Sequence, residues 1–251
     1  MATETPSLNE FRFISQEPEG NIVVTPTFLR GKLASHIYPM HQQAKARLND
    51  NPNLKLKYDG SQITESTIFD VAVIDELVRQ HGVRTAMPYD IWGNQAFMKA
   101  IKGNHYVDFR ALALRTVNDS LNPKNNSLAR RLAEHVDLAK GPALITGFKL
   151  DSFEGDCGLQ FTPTDEFNAF YDDRLAGRWT GYKFDEVDEH SLPLHLDEKK
   201  GKHTWYTRDD GLSGLGLDRY LGLDSYWNGL DNSYSNGRVV LVGGEATTQN
   251  L

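Results

Sequence analysis

Apolar positions along the chain fall first into helical spacing and later into short alternating runs. From Thr67 to His81, Phe69, Val73 and Leu77 recur four residues apart with Ile74 and Val78 beside them, and Gly82 follows. That pattern predicts an amphipathic helix ending at the glycine. A second helix is expected from Tyr89 or Asp90 to Ile101, with Asp90 as N-cap, Trp92, Phe97 and Ile101 turned inward, and Gly103 closing it. A third runs from Ser127 to Leu138, with Leu128, Leu132 and Val136 on one face, Arg130, Arg131 and Glu134 elsewhere, and Gly141 as its stop. Before it, Asn118 to Asn126 reads as a polar surface loop.

Strand signals are shorter. Asn21 to Leu29 opens with β-branched residues and meets Pro26, which predicts a short strand and a turn. Ala143 to Phe148 is strand-like, and Thr162-Pro163 predicts a short helix, with Thr162 as N-cap and Phe167, Phe170 and Leu175 facing inward. Further strands are expected at Arg178 to Tyr182, His203 to Thr207 and Arg238 to Val242. Helices early and strands late favour an α+β fold over alternating βαβ units. No Pro-, Ser- or Gly-rich linker divides the chain, so residues 1–251 are expected to form one domain, with its weakest point near Asp151 to Gly158.

Composition narrows the function classes. The 251 residues carry a net charge of -7 with Lys and Arg scattered, which disfavours nucleic acid as a partner. No apolar run approaches the roughly 18 residues of a membrane span, and Met1 to Pro6 has neither the basic nor the apolar part of a signal peptide, so neither membrane insertion nor signal-directed export is expected. Cys157 is the sole cysteine, which removes an internal disulfide and any multi-cysteine metal site and reads as a small buried hydrophobe.

The stretch Leu212 to Asn236 departs from the rest. It contains Gly-Leu-Asp three times, at spacings too short and uneven for a solenoid. Lys, Glu, Gln and Met are missing from Leu215 to Asn236 although the rest of the chain uses all four. Except for Trp227, every residue there can be encoded with two free bases and a pyrimidine, the repertoire produced when adenines of Asn codons are randomised. Tyr, Asp, Asn, Ser, Gly and Arg are also the residues of adaptable binding surfaces, because Tyr gives contact area at low conformational cost and Ser, Asn and Gly adapt their hydrogen bonds.

Gly211-Leu-Ser-Gly-Leu, the mixed small, polar and tyrosine residues around Trp227 and Leu230, then Ser233, Ser235 and Gly237-Arg-Val-Val-Leu-Val together resemble the variable region of proteins diversified by diversity-generating retroelements. The resemblance is specific over about the last 40 residues. It implies a C-type lectin-like fold of the formylglycine-generating-enzyme-like subgroup, with early helices and a short-stranded, twisted antiparallel sheet. It implies a display protein rather than an enzyme, recognising a protein or glycan, with no cofactor and no metal. The variable segment would span about 212–242. By the same resemblance Trp227, Leu230, Arg238, Val239 and Val240 are scaffold. The ligand-facing positions are Gly216, Asp218, Arg219, Tyr220, Gly222, Asp224, Ser225, Tyr226, Asn228, Gly229, Asp231, Asn232, Tyr234 and Asn236.

Other classes find less support. An oxidase of the same fold needs reactive cysteines beyond Cys157. A calcium-dependent lectin could draw oxygens from Asp218, Asp224, Asp231, Asn228 and Asn232, but Trp227-Asn228-Gly229 is a poor match to such sites; a calcium-dependent or calcium-independent carbohydrate-binding module is the alternative. His36 with His41, and His190 with His195, Asp197 and Glu198, lack the spacing of a helical metal pair, and Pro39 and Pro193 are expected to break helical continuity between them. Asp185 to His190 reads as a solvated acidic loop. Gly211 to Gly216 lacks the Lys-Ser or Lys-Thr of a phosphate loop, and Gly243-Gly244 reads as a turn.

Overall fold

The structure, a computed structural model, describes the backbone of residues 14–16 and 22–24 and then residues 26–79, 82–177 and 179–243. Three short strands open it, β1 (Ile14–Gln16), β2 (Ile22–Val24) and β3 (Thr27–Phe28), so the strand expected from Asn21 is divided around Pro26. Helix α1 (Gly31–Arg47) was not anticipated, because Pro39 lies inside it. Pro39 is exposed, so the carbonyl left without an amide donor faces water rather than the core. His36 and His41 therefore share one helix, contrary to the expected break; His41 is fully buried with its Nε2 2.9 Å from Asp70 Oδ1, while His36 is half-buried.

A hairpin of β4 (Lys57–Tyr58) and β5 (Ile63–Thr64) leads to α2 (Ile68–Arg79), and then β6 (Val83–Thr85). Helix α2 ends within two residues of the expected place, and the His81 end lies outside the described residues. It is buried nearly all round, Asp70 and Asp75 included, because the helix is sandwiched between α1 and the main sheet. The expected helix from Tyr89 is two, α3 (Pro88–Trp92) and α4 (Gln95–Ile101). Asp90 is not an N-cap but sits at the third helical position, accepting from Met87 N–H at 2.7 Å and pairing with Arg84; Asn94 caps the second piece through Phe97 N–H.

The main sheet begins with β7 (Tyr106–Leu114). After a polar loop come α5 (Asn126–Ala133), shorter than expected at its C-terminus, then β8 (Ala143–Ser152) and β9 (Leu159–Tyr171). The loop is less of a surface feature than its polarity suggests, since Asp119 and Asn125 are buried. The helix expected at Thr162-Pro163 is instead part of β9, which pairs with β8 along most of its length. Pro163 is tolerated because β9 is an edge strand and lies beside a bulge at Gly147, where a β-carbon would stand 2.0 Å from the Glu166 carbonyl oxygen. Asp151 to Gly158 forms the end of that hairpin.

The later strands are β10 (Tyr182–Phe184), β11 (His203–Tyr206), β12 (Leu212–Leu217), β13 (Leu223–Asp224), β14 (Gly237–Arg238) and β15 (Val240–Gly243). The strand expected at Arg178 starts at Tyr182, and Arg178 itself lies outside the described residues, as does Gly244. The main sheet runs β10-β11-β13-β12-β7-β8-β9, with β14 parallel to the start of β7. A second sheet, β3-β15-β6, sets the last described strand between β3 and β6.

Strand β7 is the spine of the molecule. Leu112 and Leu114 face a cluster with α2 and α5, whereas Val107, Phe109, Ala111 and Ala113 face a cluster with α3, α4 and Trp205. The result is a mixed α+β fold whose principal sheet is mostly antiparallel and covered on both sides. No helix among the described residues is long and apolar enough to cross a membrane.

Candidate functional site

Strand β12 buries all six of its residues. Leu212 joins the α2 cluster and Leu215 and Leu217 the opposite one, while the two glycines between them leave room for other chain. A β-carbon at Gly214 would stand 2.4 Å from Ile68 Cγ1, and one at Gly216 would stand 2.6 Å from Asn228 Nδ2. The glycines thus let residues 225–236 return close across the sheet. There Gly214 N–H donates to Asn228 O at 2.9 Å, and Leu230 drops into the α2 cluster.

Two aspartates hold the turns of this segment. Asp218 Oδ1 accepts from the backbone N–H groups of Tyr220 (2.7 Å) and Gly222 (2.8 Å), and Leu221 takes a left-handed φ of 66°, a conformation that costs a leucine roughly 1–2 kcal/mol. Asp224 Oδ1 does the same for Tyr226 (2.8 Å) and Trp227 (2.9 Å). Underneath, the buried Arg115 guanidinium donates to Leu175 O, Ser213 Oγ, Thr207 Oγ1, and both the carbonyl and hydroxyl of Ser225. Burial lowers its pKa to about 9, which still leaves it cationic at neutral pH. The neighbouring Arg208 is anchored by Asp119 at 2.7 Å.

The proposed ligand-facing positions divide by exposure. Arg219, Tyr220 and Tyr234 are exposed; Asp218, Asp224, Tyr226, Asp231, Asn232 and Asn236 are partly buried. Gly216, Gly222, Ser225, Asn228 and Gly229 are buried, Ser225 completely, within the Arg115 network. In this conformation these five are buried, although Gly216 and Asn228 border the cleft described below. Trp227 departs the other way: read as scaffold, it is 57 % exposed, leaning edge-on against Tyr226. Leu230, Arg238, Val239 and Val240 are buried. Asp231 is tied to Lys124 at 2.6 Å and lies near Lys55; against the upward push of burial, these ammonium groups hold its pKa below the usual range. Asn232 donates to Trp227 O and Asn236 to Asn104 O, so part of their polarity is spent on the fold.

Between the hairpin and the returning segment lies a small solvent-open cleft with about 20 Å³ of room, enough for one or two waters, lined by Tyr106, Val107 and Asp108 of β7 and by Gly216, Leu217, Asp218, Asp224, Asn228 and Tyr234. Tyr106 and Tyr234 stack at 4.7 Å and form one wall. Burial pushes Asp108 up to about 7, reinforced by the charges of Asp70 and Asp224 and opposed by donors from Ser66 and Asn228. Burial likewise pushes Asp224 to about 6, with Asp218 adding to it, and raises Asp218. Tyr106, Asp108 and Arg115 had not been expected at a site. The signal lay in β7 and just beyond it, where charged residues interrupt a strongly apolar run.

The histidine candidates lie elsewhere. His190 stacks on Phe170 at 3.7 Å, and His195 is exposed. Among the described residues no group of three or more His, Cys, Asp or Glu side chains is arranged to hold a metal ion. The Asp185 to His190 loop is more ordered than its charge suggests, because Asp188 accepts from His190 and Leu192 N–H groups and pairs with Arg174 at 2.7 Å. Cys157 is half-buried, and burial raises its pKa.

Compared with known proteins, the chain matches no family model, no curated protein and no solved structure.

Proposed function

We propose that the chain is a ligand-binding display protein whose segment from Leu212 to Val242 is diversified by a retroelement to recognise protein or glycan targets, on a C-type lectin-like scaffold. One observation carries this reading: Tyr220, Trp227 and Tyr234, three of the most exposed large side chains, project from a backbone fixed from beneath by Asp218, Asp224 and the Arg115 network. Exposed aromatics on a preorganised backbone form a contact surface that loses little entropy on binding. The early helices and the mostly antiparallel main sheet are compatible with the proposed scaffold.

A second reading follows from the cleft itself. Carboxyl groups with raised pKa values in a concavity are a feature of acid–base enzymes. Against it, Asp218 and Asp224 each spend one oxygen on two backbone N–H groups, an arrangement suited to holding turns.

The discriminating experiment is to sequence the DNA around the gene. The proposal expects an adjacent reverse transcriptase and a near-copy of the segment encoding Leu212 to Val242 that differs only at adenines. Finding neither would reduce the segment to an unusual loop of an α+β binding domain and withdraw the diversification.

A further inference from the structure

Resting on the reading of this segment as a binding face, we propose that Tyr234 is a proton-controlled lid, closed over the cleft while the carboxyl groups there share protons and lifted from it once they ionise. The lid is a short strap between two fixed points. Leu230 is buried in the α2 cluster and Gly237 pairs with Tyr106 through β14, whereas Tyr234 and Ser235 between them are exposed and Asn232, Ser233 and Asn236 half-buried. A turn closed by Gly237 N–H to Tyr234 O at 2.7 Å presents the Tyr234 ring, which stacks on Tyr106 at 4.7 Å and stays 44 % exposed. One aromatic stack is a weak hold, so a modest change beneath it decides where the ring lies.

Beneath it, Asp108 of β7, Asp218 just past β12 and Asp224 of β13 reach one cleft whose room, about 20 Å³, admits one or two waters. Three carboxylates cannot be hydrated there, and like charges so placed do not all ionise together. The fold supplies little in place of water. Ser66 Oγ donates to Asp108 Oδ2 at 2.9 Å and the Asn228 amide faces the same carboxyl, but both donors are neutral. Oδ1 of Asp218 and of Asp224 is taken by backbone N–H groups. Arg219, the cation at the rim, lies over the Tyr220 ring at 5.0 Å and acts on Asp218 from there, as His203 of β11 does. Arg115 acts on Asp224 from below, yet its donors are spent on Leu175, Thr207, Ser213 and Ser225. Asp70 of α2 adds a further negative charge near Asp108. Burial holds the Tyr106 and Tyr234 hydroxyls above their ordinary range, so both stay neutral.

Closing therefore takes up protons. With the lid down Asp108 titrates at about 7 and Asp224 at about 6, whereas a hydrated Asp titrates near 3.9. Lifting Tyr234 admits water and lowers both values, so the closed form loses ground to the open one as pH rises between about 5 and 8. The binding face changes with it. At the acid end Tyr234 is pinned beside Tyr106; at the basic end it is a free contact side chain next to a hydrated, anionic cleft.

The test follows the nuclear Overhauser effect between the Tyr106 and Tyr234 rings of the full-length chain from pH 5 to pH 8. The expected result is a cross-peak that fades as pH rises, the ratio of closed to open falling about tenfold or more. It persists to higher pH in Asp108→Asn, and the Leu230 methyl signals do not move. A cross-peak of constant intensity, one that strengthens with pH, one that fades at the same pH in Asp108→Asn, or a fade accompanied by loss of the Leu230 signals overturns the proposal. Should Asp108→Asn not fold, Asp224→Asn decides, since its amide oxygen still accepts from the turn: fading moved to higher pH supports the lid, and an unmoved midpoint overturns it. The ring contact is read without any ligand or gene. Failure of the lid thus leaves the reverse-transcriptase test untouched, and a missing reverse transcriptase leaves the lid standing, so the two failures are distinguishable.

Discussion

Asn228 lies over Gly216 so closely that a β-carbon at position 216 would stand 2.6 Å from its Nδ2. The glycine is therefore part of the cleft's architecture, since any larger residue displaces the Asn228 amide that faces Asp108. Gly216→Ala is expected to cost about 1–3 kcal/mol through overpacking and to move the Asn228 side-chain signals, whereas Gly214→Ala, which strikes the packed Ile68 side chain at 2.4 Å, costs at least as much. Thermal melts and an amide NMR spectrum of each variant check this. An unshifted Asn228 signal in Gly216→Ala would show that the contact does not constrain the amide. The same contact implies that natural variants of the segment keep Gly216 wherever Asn228 is kept.

Arg115 sets the depth at which the returning segment sits. Its guanidinium satisfies Ser213, Thr207 and Ser225 together, so Arg115→Met strands several buried oxygens at once. A loss of about 2–4 kcal/mol is expected, from buried polar groups left unpaired. Arg115→Lys recovers only part of it, because an ammonium has fewer donors and no planar fork. Chemical denaturation of the two variants measures the difference; equal stability of both with the wild type would remove Arg115 as an anchor.

Much of the scaffold was legible because its helices obey the 3.6-residue period: Phe69, Val73 and Val78 announced α2, and Leu128 and Leu132 announced α5. Failures came where tertiary context overruled local chemistry. Pro39 is tolerated in α1 because it faces water, and Pro163 in β9 because that strand is an edge with a bulge opposite. The segment from Leu212 was conspicuous by composition, but which of its residues face outward depends on a crossing that no local period encodes. Ser225 and Trp227 exchanged their expected roles for that reason, one drawn down to Arg115 and the other left on the surface. Asp108 comes from a strand more than a hundred residues before the segment, and only the register of β7 with β12 brings it to the cleft.

The two raised carboxyl groups make stability depend on pH in a direction opposite to that of paired carboxylates. An unfolded Asp has a pKa near 3.9, whereas Asp108 titrates at about 7 and Asp224 at about 6 in the fold. Between about pH 4 and 7 the folded state therefore binds more protons than the unfolded one, so their contribution to stability falls as pH rises through this window. The melting temperature is expected to drop from pH 5 to pH 8, and Asp108→Asn, which cannot ionise, flattens that drop. Calorimetry across the interval measures it. A variant with the same slope as the wild type would show that Asp108 is already charged throughout.

Surface and core can be separated within the same short stretch. Leu230 is fully buried against the α2 cluster, so Leu230→Ala is expected to cost about 2–5 kcal/mol. Trp227, Tyr220, Tyr234 and Arg219 are exposed, and replacing each with Ala changes stability by about 0.5 kcal/mol or less, with Tyr234 at the upper end because its ring stacks on Tyr106. The fourfold alanine variant should thus melt near the wild type while Leu230→Ala melts well below it. Should the fourfold variant unfold as readily as Leu230→Ala, these side chains hold the fold together, and a face that must be kept for stability is not free to be diversified for binding.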